Sequence, residues 1–250
     1  LCDRRQRQMC IRDSLYDHVS EAFEALNEGE EKLKRSIELG VGQLKIGVSS
    51  TLCKYMLLPY LKEFIHRNPH ISISIECQST NETLKLLDDD KIDIGLIGKP
   101  ASLKTFNFYY LDNIEDIFVT TKDYLRNLSA RGVKKSEILQ NSTLMLLDKG
   151  NMTRKYIDDY LQENQIHVKD SIDISNMDLL IDFAKIGVGV ACVIKSIVSK
   201  ELADGTLIEI PLGIPIHKRE VGFAYKESSK LSTSLQTFIK FYESYTPEDF

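Results

Sequence analysis

The 250-residue sequence contains no run of about 18 apolar residues, so no membrane span is expected. No basic-then-apolar leader with a small-residue cleavage site is seen, which points to a cytoplasmic chain. Neither a Gly-x-Ser-x-Gly elbow nor a P-loop occurs, so acyl- and phosphoryl-transfer readings have no motif behind them. Cysteine is sparse and unpaired. Cys2, Cys10, Cys53, Cys77 and Cys192 are odd in number and form no Cys-x-x-Cys pair. Cys53, Cys77 and Cys192 sit in apolar or small-residue settings and are expected as reduced thiols in or near the core, without catalytic or redox duty. The Asn-x-Ser/Thr triplets at Asn81, Asn127, Asn141 and Asn151 carry no glycosylation meaning without export. Positive charge is not in excess either, since the formal net charge is -5. A duplex-DNA binder usually needs a basic face to neutralise phosphates, so a DNA-reading element is not expected within these residues.

Metal and cofactor signals are missing too. His66 and His70 are four apart, but Pro69 disrupts the helix that would align them. Asp88, Asp89 and Asp90 close a helix and read as a solvated turn. Gly187 and Gly189 form a bare Gly-x-Gly, which a tight helix-to-strand turn explains. No metal and no cofactor is expected.

What is present falls into three parts. Residues 1–14, LCDRRQRQMCIRDS, hold four Arg and two Cys without periodicity. They resemble translated adapter read-through and are expected to be non-native or disordered, a basic nucleic-acid arm being the alternative. Residues 15–39 read as one long amphipathic helix. Leu15, Val19, Ala22, Leu26, Leu33 and Ile37 recur mostly at spacings of three and four, with acids and lysines between them. Gly40 and Gly42 are stop signals. A lone helix cannot bury such a stripe, so it needs the body of the protein or a second chain.

From Leu44 onward, strands and helices alternate. LKIGV, ISISIEC and IDIGLIG read as strands separated by two helices. FNFYYL and DIFVTT follow as strands, then a polar, irregular stretch to Val133. A second α/β unit runs TLMLLD strand, NMTRKYIDDYLQEN helix, HVKDSIDI strand, SNMDLLIDFAKIG helix and VGVACVI strand. It is expected to end in LIEIPL and REVGFAYK, before a closing helix over 231–245. This pattern predicts an α/β fold with two Rossmann-like lobes joined by crossing strands and a cleft between them. The expected boundaries put 43–116 and 226–250 in the first lobe and 117–225 in the second.

The segment LKIGVSSTLCKYMLLPYLKEFIHRNPHISISIECQSTNETLKLLDDDKIDIGLIG resembles the start of the LysR-type effector-binding domain. Its pieces come in that family's order: a strand ending in small polar residues, a Leu-Leu-Pro helix, an Asn-Pro turn, an alternating strand, a polar helix start and an Asp-x-Gly-Leu strand. LLDKGNMTRKYIDDYL, the ISNMDLL helix and the AKIGVGVACVI run extend the likeness, which covers residues 15–250. The resemblance implies a fold like the type II periplasmic binding proteins for 43–250, with 15–39 as a linker and dimerisation helix. It also implies a transcriptional regulator that forms a homodimer or tetramer and answers a small effector. DNA would be reached only through a winged helix-turn-helix, which is absent here.

The candidate effector residues cluster where strands turn into helices. Ser49, Ser50 and Thr51 put hydroxyls and free backbone N–H groups at a positive helix end, which suits an anion, although plain N-capping explains them as well. Ser79, Thr80 and Asn81 repeat the arrangement, and Gly98 and Lys99 follow the third strand at the same sheet edge. In the second unit Asn151 and Thr153 open a helix, with Arg154 beside them and Asp158 four residues on as its alternative partner. Asn176 opens the next helix. Together these predict a hydrogen-bonding site for a small, anionic ligand, with no catalytic group. Two other readings stay open: a solute-binding protein of the periplasmic type, and an enzyme on the same two-lobed fold.

Overall fold

The computed structural model describes residues 15–16, 18–20, 22–27, 29–30, 42–100, 105–226 and 231–245. Residues 1–14, Leu33 and Ile37 lie outside them, so the expectations placed there are not addressed.

The first lobe begins with β1 (Gly42–Val48), whose fully buried Leu44, Ile46 and Val48 alternate toward the core. Ser49 caps the helical stretch that follows by accepting from the Leu52 N–H, at 3.3 Å. That stretch is α1 (Ser50–Leu52), a π-helical turn (Cys53–Leu57) and α2 (Leu58–Arg67). The π turn interrupts what the sequence predicts as one regular helix. Pro59 has no N–H to return to Tyr55 and its ring crowds that carbonyl. The chain widens there, and the Leu58 N–H bonds Cys53 O. Strand β2 (Ile71–Cys77), α3 (Thr80–Asp88), β3 (Ile94–Gly98) and β4 (Phe106–Ile114) complete the first pass.

Only Glu115 separates β4 from β5 (Asp116–Thr120), which opens the second lobe. There α4 (Lys122–Ala130), α5 (Ile138–Asn141), β6 (Thr143–Leu147), α6 (Met152–Glu163), β7 (Asp170–Ile174), α7 (Met177–Lys185) and β8 (Val190–Ile194) follow. A 3-10 turn (Lys195–Val198), α8 (Ser199–Asp204) and the two-residue β9 (Ile208–Glu209) come next. The chain then returns as β10 (Arg219–Lys226) and ends in α9 (Thr233–Ser244).

Two five-stranded mixed sheets result, in the orders β2-β1-β3-β10-β4 and β7-β6-β8-β5-β9. In each sheet three parallel strands come from βαβ crossovers; β10 adds antiparallel to β3 and β5 to β8, and β4 and β9 then pair antiparallel with β10 and β5 at the edges. Two corrections to the sequence reading follow. Arg219–Lys226 pairs with β3 and β4 in the first sheet, so it does not belong to the second lobe. The stretch read as irregular before Val133 contains α4, capped by Thr121, which accepts from the Tyr124 N–H. Its apolar face is short: only Leu128 is fully covered.

The C-terminal helix belongs to the first lobe. Leu235, Phe238, Phe241 and Tyr242 share one face of α9 and are buried. Phe238 meets Phe64 edge to face at 4.9 Å between ring centres, and Tyr242 stacks on Phe223 at 4.6 Å. In the second lobe Gly187 takes φ +75, and Gly189 brings the backbone so close to β6 that a Cβ there would lie 2.3 Å from Thr143 O. The Gly-x-Gly at 187–189 is therefore explained by the turn into β8. Cys192 is buried and Cys53 half-buried, as core or near-core thiols should be. Cys77 is exposed at the end of the edge strand β2, contrary to its near-core expectation.

Candidate functional site

The carboxyl ends of the parallel strands in both sheets face one another, and a cleft of about 340 Å³ lies between them. Of the residues expected at the site, Ser49, Thr51, Ser79, Thr80, Gly98 and Lys99 line it from the first lobe. Asn151 and Thr153 line it from the second. Four expected residues do not line it. Ser50 and Asn81 point outward on their helices and are exposed. Asn176 spends its side-chain oxygen on the Leu179 N–H, at 2.9 Å, as the N-cap of α7. Arg154 is 6% exposed and turned to partners within its own lobe. It donates to Asp158, Asp173 and Leu147 O, so the strand β7 that neighbours β6 supplies the partner that binds it.

The polar lining is rich in donors, with Glu220 the one carboxylate among the described residues that line it. Ser49 and Ser79 oxygens accept N–H groups of their own helices, which leaves each hydroxyl hydrogen to point elsewhere. Asn151 Oδ1 accepts from the Thr153 N–H at 2.8 Å, so its remaining contribution is the NH₂ group. Capping and binding are therefore compatible roles: the cap uses an oxygen lone pair and leaves the donor hydrogens available. The helices α3 and α6 also turn their N-terminal, positive ends to the cleft.

Sequence reasoning missed the cations that cross between lobes. Lys218, Arg219 and Glu220 line the cleft where the chain re-enters the first lobe, and Tyr156 lines it from α6. Arg219 makes a two-pronged contact with Asp116, Nε at 2.7 Å and Nη2 at 2.9 Å, and lies 5.2 Å over the Tyr156 ring. Asp116 is 2% exposed, and burial pushes its carboxyl above its ordinary value while Arg219 pulls it back. Lys99 pairs with Glu220 at 2.6 Å and Lys218 with Glu115 at 3.0 Å. Lys218 and Lys195 hold the Glu115 carboxyl below its usual range. The Tyr156 hydroxyl donates to His217 O at 2.7 Å, and burial raises its pKa. The signal that would have found Arg219 is the adjacency of two crossing strands, which no local spacing encodes.

A latch joins the lobes beside the cleft. Lys54 Nζ lies 2.6 Å from Asp178 at the first turn of α7, and the Tyr55 hydroxyl donates to the same oxygen. Both contacts, Lys54 first, lower the Asp178 pKa. Among the described residues no helix is long and apolar enough to cross a membrane.

Comparison with known proteins agrees with this geometry. The uncharacterized HTH-type transcriptional regulator YeiE of Escherichia coli (strain K12) is 23% identical over 201 residues, covering 80% of this chain and 67% of that protein. The HTH-type transcriptional activator CmpR of Synechocystis is 25% identical over 206 residues, 80% of this chain and 65% of that protein. The chain thus spans about two thirds of the length of these curated relatives. The Synechocystis CcmR regulatory domain, solved in complex with 2-PG, superposes with a TM-score of 0.68 at 18% identity, covering 80% of this chain and 95% of that one. The effector binding domain of QuiR in complex with shikimate gives a TM-score of 0.64 at 16% identity, with coverage of 80% and 94%. The fold is that of LysR effector-binding domains, of the type II periplasmic-binding-protein kind. The LysR substrate binding domain family matches residues 38–246, most of the chain, and the chain belongs to that family.

Proposed function

We propose that this chain is the sensing part of a LysR-type transcriptional regulator and that it binds a small anionic effector between its lobes, without catalysis. The observation that carries the reading is the donor-rich polar lining contributed by both lobes, in which three cations stand against a single carboxylate, Glu220, among the described residues. Thr51 and Ser79 on one side and Asn151 and Thr153 on the other offer hydrogen-bond donors, and Lys99, Lys218 and Arg219 add positive charge. The groups suited to general acid–base work are spent: Glu220 on Lys99 and Tyr156 on His217 O. Relatives that are named transcriptional regulators, and neighbours solved with 2-PG and shikimate, support the same reading.

Residues 43–250 form the effector-binding unit in this proposal, and 15–39 the linker through which chains pair. Leu15, Val19, Ala22 and Leu26 are exposed on helical residues, an apolar stripe in need of a partner. Effector binding shifts the lobes toward the closed arrangement only by its extra affinity for that state, and the linker passes the change to a DNA-binding head beyond these residues. A cytoplasmic location goes with that role.

The test is a thermal-shift screen against phosphate, sulfate and small carboxylates, with ammonium compounds as controls. Selective stabilisation by anions is expected, about 2.7 kcal/mol at a hundredfold excess over Kd. Asn151→Asp keeps the cap and turns the donor into a negative charge, and should abolish the response. A response to cations, or an undiminished one in Asn151→Asp, contradicts the proposal.

A further inference from the structure

A second chamber lies behind the inner wall of the cleft. Leu52, Ile114 and Ile194, all buried, form that wall with Thr51, and each of the four borders both spaces. The chamber holds about 350 Å³, inside the range of roughly 300–1,000 Å³ usual for small-molecule sites. None of the donor groups at 79–80, 98–99 or 151–156 reaches it. Its floor is apolar, with Met56 and Ile197 added to the wall residues. Its rim carries the hydroxyls of Thr51 and Ser196 and the carboxylate of Asp112.

The charge of the two spaces is opposite. The cleft is lined by three cations, Lys99, Lys218 and Arg219, against one carboxylate, Glu220, whereas no Lys or Arg is found among the described residues lining the chamber. Asp112 makes no ion pair among the described residues. Its Oδ1 accepts the Asn113 N–H at 2.7 Å, which leaves Oδ2 to accept from a ligand. An anion placed here would meet a carboxylate and no compensating cation. An ammonium group would meet Asp112 and the rim hydroxyls while its apolar body covers Met56 and Ile197.

We propose that this chamber is a second ligand site, separate from the anion cleft, for a small organic ammonium ion with an apolar body. Its occupant touches both lobes, because Tyr55 and Asp112 come from the first and Ser196 and Ile197 from the turn after β8. Since the wall is shared, an occupant of one space that shifts Leu52 or Ile114 changes affinity in the other, and the effect is reciprocal.

Methionine reports on each space separately. The chain has five methionines. Met56 lines the chamber and Met152 the cleft, while Met145 and Met177 are buried in the core at 0% and 2% exposure. The experiment is ¹³C-methyl-methionine NMR of the full chain, titrated with phenethylamine and, separately, with phenylacetate and inorganic phosphate. Phenethylammonium should shift Met56 saturably and leave Met152 in place, and phenylacetate should leave Met56 in place. Asp112→Asn should weaken the amine about threefold, the share of a solvent-exposed ion pair. Ile197→Trp should abolish the Met56 shift with the Met145 and Met177 signals unmoved. If those core signals move, the variant is misfolded and Asp112→Asn decides. The proposal is overturned if no saturable Met56 shift occurs, if the amine moves Met152 instead, if phenylacetate moves Met56 as far, or if Asp112→Asn binds unchanged. A shift of Met152 by phosphate belongs to the cleft, so the two sites stand or fall separately.

Discussion

Asp116→Asn should make the protein less stable and its cleft more attractive to anions at the same time. The carboxylate is 2% exposed and grips Arg219 through two oxygens. Asn keeps the shape and one acceptor but leaves the guanidinium uncompensated. Losing one partner of a buried pair costs about 3–5 kcal/mol, and the retained acceptor and partial exposure of Arg219 bring this to about 2–3. For a chain of this size that is a fall of about 4–12 °C in Tm. Arg219 Nη1 makes no hydrogen bond among the described residues, and Arg219 lines the cleft. An anion held by Nη1 would lie across the guanidinium from the Asp116 carboxylate, roughly 7 Å away by the span of two N–H···O contacts on one guanidinium. At an effective dielectric of about 20–40, removing that repulsion is worth ~1–2 kcal/mol, or roughly five- to thirtyfold in Kd. Calorimetric titration with the strongest anion from the thermal screen, at two salt concentrations, reads the affinity, and differential scanning calorimetry reads the stability. Arg219→Met should destabilise more than Asp116→Asn, because it strands a carboxylate, and the double variant should recover part of the loss. An unchanged Tm, or a weaker anion affinity in Asp116→Asn, would show that Asp116 neither holds Arg219 in the fold nor repels anions from the cleft.

Three further outcomes follow from the same geometry. Arg154→Met should lower stability by about 3 kcal/mol, read by urea denaturation, yet leave anion affinity unchanged, because Arg154 binds Asp158 and Asp173 rather than the cleft. Asp178→Asn should lower Tm slightly at pH 7, since a carboxyl with a depressed pKa adds stability above its ordinary value of 3.8, and the gap from wild type should close as pH falls below that value. Phe238→Ala, deleting a fully buried ring at the centre of the first-lobe aromatic group, should cost about 3–5 kcal/mol in a denaturant titration.

The strand ends were legible because each one joins an alternating or wholly apolar run to a capping residue. Ser49, Ser79 and Asn151 announce both a helix start and a donor, and the fold delivers all of them to one cleft. Arg154 misled because its sequence neighbourhood shows Asp158 but not Asp173. That residue reaches it only once β7 lies beside β6. Helix α4 was missed since its apolar face is a single covered leucine with Tyr124 and Leu125 half-buried, too little for a periodic signal. Arg219 and Lys218 were missed for a different reason. They enter the cleft on the return strand, and β10 pairs across the first sheet after about a hundred residues spent in the second lobe. Long-range pairing of that kind is set by tertiary packing, not by local pattern.

Two threonines show most directly whether one anion is held from both sides. Thr51 and Thr153 line the cleft from opposite lobes, and neither hydroxyl serves as a cap. Thr51→Val and Thr153→Val therefore remove one donor each at constant shape. Calorimetric titration should show each variant weakening the same anion about tenfold, the worth of a hydrogen bond to a charged group. Loss confined to one lobe, or to neither, would mean that the ligand does not bridge the cleft.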